Sequence, residues 1–222
     1  MLIAISGESN SGKTHFCLSA PEPIEFFDFD GGVLDLLGKF PNKDIRLHQF
    51  LVDVWGKEAV TPLWEKFLVE YKASLVGDAE TIIVDTATQL WEVLRSAHFE
   101  RVQKGSPKER VKLQPIEYAE PNSIMRSVIM APKTNNKNLI LAHYTREVWD
   151  SEGKKTGMIE PDQFKHTTGL VDLALQFESK RIKPTGLKTV ITISKCRQDR
   201  DLVGVVLPDN ALWQHLEAIV SV

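Results

Sequence analysis

The chain has 222 residues, with 27 Lys and Arg against 30 Asp and Glu, and a formal net charge of −3 at neutral pH. That balance excludes a protein drawn to nucleic acid by overall charge, so any phosphate contact must come from local patches. An apolar fraction of 42% and a charged fraction of 26% exclude a disordered or fibrous chain, and the length suits one α/β domain over residues 1–222 with a full core.

In chain order, the apolar run Leu2–Ser6 reads as a first strand, and Gly7-Glu8-Ser9-Asn10-Ser11-Gly12-Lys13-Thr14 follows it directly. These eight residues match G-x-x-x-x-G-K-[ST], the phosphate-cradling P-loop, and a helix expected over Gly12–Ser19 completes the strand–loop–helix context. Gly7 and Gly12 let backbone N–H groups turn toward phosphates. Lys13 is placed to reach the β/γ-phosphates, and the Thr14 hydroxyl to ligate Mg²⁺. The motif implies a bound nucleoside triphosphate, ATP with Mg²⁺.

The next strand, Ile24–Phe29, ends among carboxylates and turns at Gly31-Gly32. Asp28 and Asp30 share one face by strand alternation, so either can point at a nucleotide from the sheet edge. Asp30 lies nearer the end and is taken as the base that positions water, although Asp-Gly also favours a turn for backbone reasons alone. A helix over Gly32–Lys39, a strand over Ile45–Gln49 and a helix over Thr61–Leu75 follow. The run Thr81–Asp85 then carries a carboxylate to a strand end, as a Walker B strand does, where Asp85 would hold Mg²⁺ with Thr14. Asp85 also suits capping of the helix expected over Thr86–Gln103, whose Leu90, Val93, Leu94 and Ala97 fall on one face.

After a loop over Lys104–Glu120 come a helix over Pro121–Ala131 and a buried strand over Asn138–His143. His143 is expected at the strand end, sensing the γ-phosphate. Asp150–Gly157 reads as the turn of a hairpin between Thr145–Trp149 and Thr156–Ile159. Strands over Leu173–Phe177 and Lys188–Lys195 flank a loop at Lys183–Leu187, and a helix over Ala211–Val220 closes the pattern. Alternating strands and helices argue for a mainly parallel central sheet flanked by helices. Cys17 and Cys196 fall in apolar segments without metal-type spacing, which fits core packing in a reducing cytoplasm. The chain begins on its first strand, with no signal peptide and no run of transmembrane length, so no membrane role is expected.

These strand ends together resemble the RecA-like P-loop ATPase core, most closely small phage-type nucleotide-binding proteins and RecA-core single-strand annealing recombinases. The resemblance implies an ATPase in phage or host cytoplasm, with a C-terminal antiparallel strand extension. Asp30 falls where the family carries a longer catalytic Glu, and His143 where it carries a polar switch residue, Gln in RecA itself. Thr192-Ile193-Ser194-Lys195-Cys196-Arg197 is similar to the strand whose alternate basic residues reach a neighbour's nucleotide, so Lys195 and Arg197 take the role of fingers in trans. A homo-oligomer follows; with no segment ahead of the first strand a long, stable filament is not expected, while a ring or a looser oligomer stays open.

Single-stranded DNA and a single-strand-binding protein are the partners this likeness implies, in recombination, annealing or replication. Basic clusters at Arg101, Lys104, Lys108, Arg110 and Lys112, and from Lys180, Arg181, Lys183 and Lys188 to Arg200, offer phosphate contacts. The loop over Thr145–Thr168 adds Arg146, Lys154, Lys155 and Lys165, with Trp149 or Tyr144 for base stacking. Two other classes stay open: a small P-loop kinase of a nucleoside or metabolite, and a slowly hydrolysing, nucleotide-gated assembly or loading factor.

Overall fold

The computed structural model describes residues 1–51, 60–107, 109–182, 186–208 and 210–220. Lys108 and Lys183 of the basic clusters, and the stretch 183–185 of the expected last loop, lie outside the described residues. Short apolar runs form β1 (Leu2–Gly7), β2 (Ile24–Asp28), β3 (Ile45–Gln49) and β4 (Thr81–Asp85). Four longer strands follow: β5 (Asn138–Trp149), β6 (Lys155–Asp162), β7 (Leu173–Ile182) and β8 (Gly186–Cys196). The sheet order is β3-β2-β4-β5-β1-β7-β8, with β6 paired to the outer part of β5. Pairing is parallel from β3 through β7, while β7–β8 and β5–β6 are antiparallel. This is the expected architecture, including the antiparallel C-terminal strands.

Helices α1 (Lys13–Leu18), α2 (Leu34–Leu37), α3 (Val60–Val76), α4 (Ala87–Lys104), α5 (Ala119–Thr134), α6 (Thr167–Leu170) and α7 (Trp213–Val220) surround the sheet. Strand parity sorts the buried side chains into two cores. On one face Leu2, Phe27, Val84 and Leu141 pack with Phe67, Leu94 and Met125 of α3, α4 and α5. On the other, Ile3, Phe26, Ile83 and Ile140 pack with Phe16 of α1 and Leu216 of α7. Both faces of the inner strands are therefore apolar, as parallel strands covered on two sides require.

Four elements differ from expectation in their bounds. α2 spans only Leu34–Leu37 rather than Gly32–Lys39, since glycines flank it and none of its side chains is fully buried. β5 continues through Tyr144 to Trp149, because no Gly or Pro interrupts a run of strand formers, so the expected strand and hairpin arm are one element. β7 and β8 likewise extend toward each other, and Gly186 and Leu187 belong to β8 rather than to a loop. Cys17 and Cys196 are free and buried, as expected. Among the described residues no helix is long and apolar enough to cross a membrane.

Candidate functional site

The P-loop leaves β1 at the carboxyl edge of the parallel sheet and enters α1. Gly7 lies hard against β7: a Cβ there would stand 2.5 Å from the Phe177 carbonyl oxygen. Gly12 sits at φ +92°, the left-handed region that a side chain would strain, and a Cβ would meet Thr189 of β8 at 3.2 Å. Thr189 Oγ1 also donates to the Ser11 carbonyl at 3.1 Å, so β8 braces the loop from the side. Lys13 folds over the loop and donates to the Gly7 and Glu8 carbonyls, each at 2.8 Å.

The carboxylates meet the loop through register and parity. Asp28 of β2 and Asp85 of β4 are Cα partners in the parallel ladder, and both face the α1 side together with Phe26 and Ile83. Thr14 Oγ1 donates to Asp85 Oδ2 at 2.7 Å. Burial pushes the Asp85 carboxyl up to about 6, against the Thr14 hydrogen bond, which lowers it. Asp28 is fully buried; its Oδ1 accepts N–H bonds from Asp30 (3.2 Å) and Gly31 (2.9 Å), while Oδ2 has no partner. Burial raises Asp28 as well. Of the two aspartates weighed for the base, Asp28 thus holds the turn, and Asp30 lines the pocket.

That pocket has a volume of about 440 Å³ and is lined by Ser9 to His15, Asp30, Asp35, Lys39, Asp85, Thr86 and Tyr144. A second cavity of about 240 Å³ shares Gly12 and His15 with it and reaches Thr189 and Asn210. The donors suit Mg²⁺, which takes one or two carboxylates and completes its shell with phosphate oxygens and water. Among the described residues no three His, Cys, Asp or Glu side chains form a ready metal cage, and this mode of binding needs none. Two buried carboxylates with raised proton affinity are the surroundings a divalent cation relieves. Thr14 and Asp85 fit as its ligands.

His143 requires a correction. It shares strand parity with Leu139 and Leu141, so its ring lies on the α3–α5 side of the sheet, the face away from α1. It is fully buried, and neither ring nitrogen makes a hydrogen bond of ordinary geometry. Burial lowers its pKa to about 3, with the Asp162 backbone opposing. His143 does not line the pocket; the next residue does. Tyr144 has the parity of Ala142, its hydroxyl donates to Asp30 Oδ2 at 2.9 Å, and Lys13 Nζ lies 5.8 Å from its ring centroid. Burial and Asp30 raise its pKa, so the phenol stays a donor. Sequence reasoning missed this role for Tyr144, although the alternation of the buried strand carried the signal. It missed Thr189 entirely, because no local pattern reports which residue of a distant strand touches the loop.

Lys195 and Arg197 sit at the other edge of the sheet, where Cys196 pairs with Leu173 at the start of β7. Lys195 Nζ donates to the Val171 carbonyl at 2.7 Å and to that of Thr168. Arg197 donates to the Gly169 and Leu170 carbonyls at 3.0 and 3.1 Å and pairs with Asp172 at 3.2 Å. Within this chain they tie down the end of α6 and do not touch the P-loop. The hairpin cations are also engaged: Arg146 with Glu160 at 2.8 Å, Lys154 with Glu152 at 2.9 Å, and Lys155 with Glu147. Arg101 pairs with Glu120, and Arg110 with Glu117 at 2.7 Å. Trp149 is 55% exposed, and Tyr144 is half-buried and lines the phosphate pocket.

No curated protein matches the chain. A family model described as an AAA domain matches residues 1–199, a span that takes in the P-loop, both pocket aspartates and strands β1 to β8. By that match and by the sheet that carries its P-loop, the chain belongs to the AAA domain family, whose members are P-loop nucleotide-binding domains of the ATPase type.

Proposed function

We propose that this protein hydrolyses ATP with Mg²⁺ and couples that hydrolysis to single-stranded DNA in recombination, annealing or replication, as a homo-oligomer with its nucleotide at a subunit interface. The observation that carries this reading is β5, one strand that runs from Tyr144 in the phosphate pocket to Trp149 in the exposed hairpin with β6. A change at the phosphates thereby has a direct covalent path to a surface that can contact a partner.

In the pocket, bound ATP–Mg²⁺ supplies the transferable phosphoryl group and neutralises charge on the phosphate oxygens. Lys13, which now bonds the Gly7 and Glu8 carbonyls, would turn to the β/γ-phosphates, and Thr14 and Asp85 would hold the metal. Asp30 orients the attacking water and takes its proton, and the Tyr144 hydroxyl fixes the Asp30 carboxylate while it does so. The adjoining cavity at Gly12, His15, Thr189 and Asn210 has room for the base and sugar. Lys195 and Arg197 act in trans only by leaving the α6 carbonyls that they now bond. DNA phosphates at the hairpin must likewise displace Glu147, Glu152 and Glu160 from its cations.

One observation favours a second reading, the nucleotide-gated assembly factor. The hairpin exposes Trp149, Met158 and Ile159, apolar groups suited to a protein partner. ATP turnover with and without single-stranded DNA, across a salt series, separates the possibilities. Stimulation that fades as salt rises, and is absent in Lys13→Ala, supports the DNA-linked ATPase. Tight ATP binding with negligible turnover supports the assembly factor. DNA-independent phosphorylation of a small acceptor replaces both with a kinase.

A further inference from the structure

The phosphate pocket has two walls. One is the P-loop with the start of α1; the other is the segment that runs from Asp30 through α2 and brings Asp35 and Lys39 to the same cavity. This second wall is tied at both ends. At its start, Asp28 Oδ1 accepts from the Asp30 and Gly31 amides. At its end, Leu37 and Phe40 pack on the core of the α1 side, and the Phe40 ring lies 5.1 Å from that of His15 on α1. Lys43 Nζ then donates to the Ala20 carbonyl at 2.7 Å. Lys39 therefore stands beside the pocket because its neighbours in sequence are fixed to α1.

The charges around the cavity make that position matter. Among the described residues, Lys13 and Lys39 are the only lysines or arginines that line it, against the carboxylates of Asp30, Asp35 and Asp85. Burial and the nearby Lys39 charge lower the His15 pKa, so its imidazole adds no positive charge at neutral pH. A triphosphate entering here brings more negative charge to a site already rich in carboxylates, and Lys13 is a single cation. Lys39 is free to answer it. Among the described residues no carboxylate lies within ion-pair distance of its ammonium and no carbonyl accepts from it, and Asp35, one helical turn earlier, is not paired with it. Arg110, Arg146, Lys195 and Arg197, by contrast, are all engaged elsewhere.

We propose that Lys39 binds the phosphate chain of the nucleotide from the wall opposite Lys13, as a cation supplied by the same subunit. The proposal rests on the reading of this pocket as an ATP site. A lysine suits the task, because its ammonium is a point charge with three donors on a flexible stem that can follow the phosphate oxygens. Charge on the phosphates is then offset within one chain, whether or not a neighbour's basic residue arrives.

The test is isothermal titration calorimetry of the whole chain with Mg²⁺, using a non-hydrolysable ATP analogue and, separately, inorganic tripolyphosphate. Lys39→Gln should weaken both ligands by about five- to tenfold, the range for a charge-assisted hydrogen bond at a partly exposed site. Lys39→Arg, which keeps the charge, should recover most of the loss, and the gap between wild type and Lys39→Gln should narrow as salt rises. The loss should be the same at all protein concentrations, because the contact lies within one chain. Lys39 is exposed, so the variants should melt with the wild type in the absence of ligand. Unchanged affinity in Lys39→Gln, a loss that Lys39→Arg does not recover, or a loss for the ATP analogue with tripolyphosphate unaffected overturns the proposal. A wild type that binds neither ligand overturns the nucleotide reading itself, and this proposal with it.

Discussion

Replacing Asp85 by asparagine should make the protein more stable and useless as a metal-dependent enzyme, and the gain should depend on pH. Burial lifts the Asp85 carboxyl from an ordinary 3.8 to about 6. A folded-state value above the unfolded one means that the folded protein binds this proton more tightly. The resulting stability is full below about pH 4 and is lost as pH rises through about 6. The gap of about two pH units, at ~1.4 kcal/mol each, sets the loss at about 3 kcal/mol. An asparagine side chain is neutral at every pH and offers Thr14 an acceptor in the same place, so the variant escapes the loss.

At about pH 7.5, without nucleotide or Mg²⁺, Asp85→Asn should melt roughly 6–12 °C above the wild type, given ~2–4 °C per kcal/mol for a domain of this size. At about pH 4 the two curves should coincide. With saturating ATP and Mg²⁺ the order should reverse, since only the wild type gains stability from the bound metal. Thermal unfolding followed by circular dichroism over that pH range checks each point. A gain of equal size at all pH values, or a variant less stable than wild type at neutral pH, would refute the electrostatic reasoning.

Tyr144→Phe removes the hydroxyl that bonds Asp30 but keeps the ring beside Lys13. Steady-state turnover should fall by about tenfold or more, with ATP affinity changed less than about threefold; an unchanged kcat removes Tyr144 from the mechanism. Arg197→Ala frees the Gly169 and Leu170 carbonyls and weakens the hold on Asp172, so stability should drop by about 1–2 kcal/mol in urea unfolding. ATP binding should persist in this variant while turnover of the assembled protein falls. If the assembled variant hydrolyses normally, Arg197 is a structural tie and not a finger in trans.

The strands of the parallel sheet were legible because a buried strand must be apolar on both faces, which leaves runs such as Thr81–Asp85 that few other elements mimic. The phosphate cradle was legible for a different reason: its glycines answer local backbone demands that need no distant partner. The site became illegible where a single step of strand parity decides a role. His143 and Tyr144 are adjacent, polar and at a strand end, yet alternation sends one ring under the sheet and the other over the phosphates. Charge clusters were illegible for a third reason. Arg101, Arg110 and Arg146 read as open to phosphate along the chain, but the carboxylates opposite them come from other turns and strands. Local charge density counts cations without their partners.

The twelve residues of β5 have a mechanical consequence. Its first half is held in register by β4 on one side and β1 on the other, and its second half by β6. A slip of one residue would trade the places of His143 and Tyr144 and carry Leu139 and Leu141 to the wrong core. The strand cannot work as a piston. Any message from the phosphates to the hairpin must travel as a change of angle about Tyr144, with the inner half as a fixed mount and the hairpin as the free arm. A rotation of about 10° at the mount becomes a sweep of about 3 Å at Trp149, because five residues beyond the pivot at about 3.3 Å each make a lever of about 16 Å.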